Sequence, residues 1–320
     1  MLALFNRRKE DLMKILVTGG AGFLGRYVVQ ELRGIGHNNI KIVRSSETDL
    51  RLREKVDNLL MDYGPDIVIH LAATVGGIGA NMNSPGRFFY DNMVMGLNLI
   101  ESSRIYGVGK FIQLGTVCSY PKYCEVPFKE QDIWNGYPEE TNAPYGIAKK
   151  ALFVMLDAYR KEYNFNSTIL VPCNLYGPYD NFNPDTSHVI PALIKKFVQA
   201  KNNKDSNVSC WGTGRATREF LYVKDAAEAI VKSININTDC SPINLGGGEE
   251  ISIYNLANLI ANSVGYDGNI SWDSSKPDGQ PRRYLDVGRA SQVLNWKAST
   301  SLEDGLKKTI AYYNNLIDND

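Results

Sequence analysis

Thr116, Cys118, Tyr145 and Lys149 are the side chains of this sequence whose types and spacing can do chemistry at a carbonyl. If residues 145–149 are helical, the phenol and the ammonium lie four apart on one face. The cation then favours phenolate and draws the tyrosine pKa from about 10 towards neutrality. Such a phenol can give or take a proton at a carbonyl oxygen. Thr116, at the end of the apolar run Phe111-Ile112-Gln113-Leu114, would hold that oxygen from a second side. Each signal alone has a blander reading. Tyr-x-x-x-Lys is more often a solvated helix face, and a lone Cys is more often a small buried hydrophobe than a base.

These groups need a scaffold, and the start of the chain supplies it. Lys14-Ile15-Leu16-Val17 runs into Thr18-Gly19-Gly20-Ala21-Gly22-Phe23-Leu24-Gly25, followed by a helical apolar pattern through Val28, Val29 and Leu32. That is strand, glycine turn and helix. Gly19 and Gly22 allow backbone to approach a pyrophosphate, Gly25 allows the helix to pack on the sheet, and the helix N-terminus favours negative charge. At the end of the next strand, Ile40-Lys41-Ile42-Val43, a residue that binds an unphosphorylated ribose would be acidic. The sequence has Arg44, Ser45 and Ser46 there, which suit a 2′-phosphate, so NADP(H) is expected over NAD(H).

Strand-like and helix-like patterns then alternate, the mark of a parallel sheet covered on both faces. Strands are expected at 66–70, 111–114 and 167–172, with helices from about Pro85 to Tyr106 and from Tyr145 to about Tyr163. Beyond Asn174 the texture becomes irregular and marks a crossing into a second lobe. The runs 219–223 and 242–245 read as strands returning to the first. The predicted architecture is a Rossmann-type, doubly wound α/β fold with a smaller C-terminal α/β substrate lobe. Residues 14–177 with 218–247 form the nucleotide-binding part, 178–217 with 248–320 the substrate lobe, and 1–12 an extension.

Composition narrows the function. Lys plus Arg and Asp plus Glu both number 35, so no global field recruits nucleic acid or an anionic membrane. The 5 cysteines are scattered without Cys-x-x-Cys spacing, which argues against a zinc site and a disulfide framework, and no bound metal is expected. No apolar run reaches the roughly 18 residues of a membrane span, and the first residues are too short for a signal sequence. A cytoplasmic enzyme is expected.

Gly19-x-x-Gly22-x-x-Gly25, His70-Leu71-Ala72-Ala73 and Tyr145-x-x-x-Lys149 resemble the extended short-chain dehydrogenase/reductase superfamily. Narrower strings resemble one member family, the GDP-L-fucose synthases, which are GDP-4-keto-6-deoxymannose 3,5-epimerase/4-reductases. They include Val75-Gly76-Gly77-Ile78, Cys118-Ser119-Tyr120-Pro121-Lys122, Asn174-Leu175-Tyr176-Gly177-Pro178, Ser187-His188-Val189-Ile190-Pro191, Trp211-Gly212-Thr213-Gly214, Arg218-Glu219-Phe220-Leu221 and Ser275-Lys276-Pro277-Asp278-Gly279. The match covers nearly everything from Met13 onward.

That resemblance implies a GDP-sugar substrate, a homodimer built through the helices at 85–106 and 144–163, and a role for each matching residue. Cys118 would be the base and His188 the acid of epimerisation at C3 and C5, which the C4 ketone acidifies. Thr116 and Tyr145, with Lys149, would stabilise the enolate and then assist reduction. Cofactor contacts are implied for Gly19, Gly22, Phe23, Leu24, Gly25, Arg44, Leu71, Ala72, Tyr145, Lys149 and His188, and substrate contacts for Asn174, Lys196, Trp211, Arg218 and Lys276. Three departures stand out: Thr116 in place of serine, Lys196 in place of an arginine fork, and Ala21 in place of a glycine-loop arginine that helps hold the 2′-phosphate. Val117 and Cys118 stand where dehydratases of the superfamily carry a carboxylate pair, which disfavours dehydration. Two alternatives stay open: an epimerase/reductase of another nucleotide-linked 4-keto sugar such as a deoxyheptose, and a non-catalytic dinucleotide-binding regulator. The latter usually loses the Tyr or the Lys, and both are kept.

Overall fold

The structure, a computed structural model, describes residues 13–318. The expected extension at 1–12 lies outside them. The chain opens with β1 (Ile15–Thr18), α1 (Phe23–Gly34), β2 (Ile40–Val43), α2 (Arg53–Tyr63) and β3 (Ile67–His70). There follow α3 (Ile78–Asn83), α4 (Pro85–Ile105), β4 (Lys110–Leu114), α5 (Ala143–Tyr163) and β5 (Ser167–Pro172). Every residue of β1 and β3 is buried, as apolar strands are when helices cover both faces of a sheet. Pro144 sits in the first turn of α5, where its missing N–H costs nothing, and Asn164 in the left-handed conformation ends the helix.

The remaining elements are β6 (Asn174–Tyr176), α6 (Val189–Asn203), β7 (Asn207–Trp211), β8 (Thr217–Tyr222) and α7 (Val223–Lys232). They continue through β9 (Ile243–Leu245), β10 (Glu250–Ser252), α8 (Ile253–Val264), β11 (Asn269–Asp273), α9 (Gly288–Leu294) and α10 (Leu302–Asp318). The main sheet has the order β2-β1-β3-β4-β5-β9, with all neighbours parallel. The chain leaves β1 first to β2 on one side and then to β3 on the other. The crevice beyond the ends of β1 and β3 is therefore a topological switch point, where open α/β sheets bind ligands.

Two of the sequence expectations need correction. Residues 219–223 do not join the main sheet: β8 pairs with β6 and β10 in a separate three-stranded sheet, and Val223 already begins α7. It is α7 that packs back on α1. The stretch after Asn174 also starts as a strand, β6, before it becomes irregular. Which sheet a strand joins depends on partners far away in sequence, and local apolarity does not encode it. A second apolar core gathers Phe182, Ile190, Ile194, Phe197, Leu256, Ile260, Leu306 and Ile310, apart from the core around the main sheet.

Candidate active site

One cleft of about 1350 Å³ runs from the glycine turn to the second core. At its nucleotide end, Gly19 adopts φ +71, and a Cβ there would meet the Ala72 amide nitrogen at 2.8 Å. The loops after β1 and β3 thus touch across the switch point through a residue that must be glycine. At Gly25 a Cβ would lie 2.1 Å from the Gly19 carbonyl oxygen, so the first turn of α1 is pressed onto the glycine loop. Gly22 caps α1 without a side-chain bond, and the first turn holds no acidic residue. The helix N-terminus is left for an anion, and a dinucleotide pyrophosphate fits it. Phe23, Leu24, Arg44, Leu71 and Ala72 line the same end. Near Arg44, the Arg51 guanidinium is occupied by Asp49 at 2.8 Å and Asp91 at 3.1 Å.

Further along, Thr116 ends the loop after β4 and caps a short 3₁₀ turn by accepting from the Cys118 amide at 3.2 Å. This turn is why a hydroxyl and a thiol two residues apart face one space. The N-terminus of α5 crosses directly over it: a Cβ at Gly146 would lie 2.1 Å from the Cys118 carbonyl oxygen, and the Ser119 hydroxyl donates to the Gly146 carbonyl at 3.0 Å. The crossing delivers Tyr145 beside Thr116 and Cys118, with Lys149 one turn on, and all four line the cleft.

The electrostatics differ from those expected of the spacing. Burial raises the Tyr145 pKa above its ordinary value, and the nearby Cys118 raises it further; only the hydrogen bond with Thr116 opposes. Lys149, 2% exposed, is itself pushed down to about 8 by burial. A four-residue spacing says that two groups are close but not how dry they are, and here desolvation outweighs the cation. Without a ligand Tyr145 is a neutral phenol, a proton donor. His70 is not part of the cleft lining: it is buried, its Nδ1 is 2.8 Å from the Thr18 hydroxyl, and burial and then Lys149 hold its pKa well below the usual value.

The opposite wall comes from the second lobe. His188, at the N-cap of α6, opens onto the cleft. Surrounding protein strips enough of its hydration to lower its pKa, and the positive Arg283 lowers it further. Asn174 donates to the Glu219 carbonyl at 2.9 Å, and Lys196 to the Ser209 carbonyl at 2.8 Å. Arg218 is buried and donates to the carbonyls of Thr217 at 2.7 Å and Asp278 at 3.0 Å. Burial, then Arg283, holds its pKa below the usual guanidinium value. Trp211 also lines the cleft, whereas Lys276 does not: its ammonium lies 5.5 Å from the centre of the Trp211 ring, on the exposed side.

Sequence reasoning passed over Arg283 and Gln280. Both are buried, both line the cleft, and Arg283 Nη1 donates to the Cys118 sulfur at 3.6 Å. Gln280 directly follows the Ser275–Gly279 string and Arg283 lies four residues beyond it, so the signal was the continuation of that stretch. Among the described residues no cluster of His, Cys, Asp or Glu is placed to hold a metal, and no helix is long and apolar enough to cross a membrane.

The pattern of the NAD dependent epimerase/dehydratase family matches residues 15–246. A GDP-L-fucose synthase of Sinorhizobium fredii is 40% identical over 310 residues, 97% of this chain and 98% of that protein. Among solved structures, a GDP-L-fucose synthetase from Naegleria fowleri bound to NADP is similar with a TM-score of 0.85 and 30% identity, covering 96% of each chain. A GDP-6-OMe-4-keto-L-xylo-heptose reductase from C. jejuni is similar with a TM-score of 0.88 and 27% identity, covering 95% of this chain and 98% of that one.

Proposed function

Since the chain belongs to the NAD dependent epimerase/dehydratase family and within it to the GDP-L-fucose synthases, we propose that it converts GDP-4-keto-6-deoxy-D-mannose to GDP-L-fucose by epimerising C3 and C5 and reducing C4. It is a nicotinamide-dependent enzyme, and the nucleotide-binding unit is residues 14–177 with 218–247. The observation that carries the dual activity is one cleft lined by a thiol and an imidazole as well as the hydroxyl–phenol pair, with Arg283 reaching the sulfur and acting on the imidazole. A plain reductase would leave both groups idle.

Cys118 takes a proton from the carbon next to the ketone, and the electron pair moves onto the ketone oxygen. Thr116 and Tyr145 donate hydrogen bonds to that oxygen as its charge develops. His188 returns a proton to the carbon from the other face; a lowered pKa makes its imidazolium the stronger acid. A nicotinamide dinucleotide held along Gly19, Gly22 and Arg44 would supply the hydride for reduction at C4. Tyr145, kept protonated by burial, gives its proton to the oxygen, and the Lys149 ammonium offsets the phenolate left behind. Arg218, Asn174, Lys196 and Trp211 hold the GDP-sugar, with Arg218 matched to a diphosphate.

NADPH is the preferred donor. Arg44, Ser45 and Ser46 line the cleft at the end of β2, where a 2′-phosphate would lie, and the Naegleria fowleri relative binds NADP. The likeness to a heptose reductase supports a second reading, the same chemistry on a GDP-linked 4-keto-heptose. Incubating the protein with GDP-4-keto-6-deoxymannose and either NADPH or NADH tests both points. GDP-L-fucose should form, faster with NADPH. Turnover of a GDP-4-keto-heptose but not of the 6-deoxy sugar would overturn the substrate assignment.

A further inference from the structure

Arg283 lines the cleft and takes part in no step described above; unlike Arg51 and Arg87, which line it too but pair with Asp91, it forms no ion pair among the described residues. It is buried, and its frame is rigid: Nε donates to Gln280 Oε1 at 2.8 Å. Gln280, 1% exposed, in turn donates to the carbonyls of Pro121 at 2.9 Å and Lys122 at 3.0 Å. Those carbonyls belong to the stretch that follows Cys118, so the guanidinium is anchored to the segment that carries the thiol. Its Nη1 then reaches the Cys118 sulfur at 3.6 Å. No carboxylate forms an ion pair with Arg283 among the described residues. Its charge acts on His188 and on Arg218, and the carboxylates of Glu139 and Asp278 act on Arg218 without forming an ion pair with Arg283.

A buried guanidinium without a carboxylate is costly unless a negative atom faces it. The sulfur is the atom placed to be that partner, and a guanidinium donor strengthens when its acceptor is ionised. We infer that Arg283 is a positioning residue that aims the Cys118 sulfur into the cleft and stabilises it as thiolate, arming it for proton abstraction. The inference rests on the reading of Cys118 as the epimerisation base. No new co-reactant is needed. The thiolate takes the carbon's proton and becomes a thiol, the electron pair goes to the ketone oxygen, and the guanidinium keeps its own protons throughout. Arg283 also works on His188 in the complementary sense, since its charge disfavours retention of the imidazolium proton.

Alkylation of Cys118 by iodoacetamide at one fixed pH, followed on the Cys118 peptide by mass spectrometry in the cofactor-free protein, measures thiolate availability directly. Cys124 is an internal control, since burial pushes its thiol up to about 11, and Cys173, Cys210 and Cys240 are buried. Arg283→Gln is expected to slow Cys118 alkylation about tenfold, the size of one charged hydrogen bond. Arg283→Lys, which keeps the charge and loses the fork, should restore part of the rate. A wild-type rate in Arg283→Gln would overturn the inference. Should that variant fail to fold, Arg283→Lys decides: a fall of about threefold or more supports the role, and an unchanged rate refutes it. Solvent exchange at C3 and C5 in Cys118→Ser separates the two readings. Exchange that persists there removes Cys118 as base, whereas lost exchange with an alkylation rate indifferent to Arg283 removes only the positioning role.

Discussion

Burial sets the working state of Lys149 before any ligand arrives. Its pKa falls from 10.5 to about 8 because the ammonium loses its hydration. Below about pH 8 the group is protonated in folded and unfolded chains alike, and the whole burial penalty is present. As pH rises towards the unfolded value the unfolded chain holds more protons, so the penalty is relieved. Relative to Lys149→Met, the cofactor-free protein should gain roughly 3 kcal/mol between about pH 8 and about pH 10.5. Urea unfolding of both at the two pH values checks this, and a constant difference contradicts it. At the same scale, Tyr145→Phe should lower NADPH oxidation by roughly 10² to 10⁴-fold. Cys118→Ser and His188→Gln should mainly impair exchange at C3 and C5. Initial rates and product labelling together distinguish the two patterns.

The crossing of α5 over the 3₁₀ turn is the element that makes the site, and Gly146 is where it can be tested. A methyl at that position must displace the Cys118 carbonyl, 2.1 Å away, or tilt the helix. Gly146→Ala is therefore expected to cost about 1–3 kcal/mol of stability and to reduce epimerisation more than nicotinamide binding, read by thermal unfolding and by cofactor titration. A variant as stable and active as the parent would mean that the helix can shift to admit a methyl without disturbing the turn. Elements of this kind were legible in the sequence where local rules decide. The strand–glycine–helix start, the Pro144 entry to α5 and the apolar strands of the main sheet all follow from turn chemistry and periodicity. Sheet membership of β6 and β8 was not legible, because strand pairing is non-local. The same holds for the chemical state of Tyr145, since dryness comes from the whole surround, and for Arg283, which meets Cys118 from 165 residues away.

Across the whole molecule, the cleft exists because two cores meet along it, one under the parallel sheet and one under α6, α8 and α10. On the roles proposed above, the thiol stands on the side of the first core and the imidazole on the side of the second, so a change in the relative placement of the lobes is expected to alter epimerisation more than hydride delivery, which is assigned to Thr116, Tyr145 and Lys149. The packed pair α4 and α5 leaves Tyr90, Leu97 and Val154 exposed at 59%, 40% and 54%. We propose that a second copy covers this face. Sedimentation should show a dimer, and Leu97→Glu combined with Val154→Glu a folded monomer; a parent protein that is monomeric at micromolar concentration would refute it.

The most direct measurement is turnover of GDP-4-keto-6-deoxymannose with NADPH in heavy water, with the position of deuterium in the product read by NMR. Solvent deuterium at both C3 and C5 of GDP-L-fucose is the expected result, and its loss in Cys118→Ser ties the exchange to the thiol. A reduced product with no solvent deuterium on carbon would contradict the account.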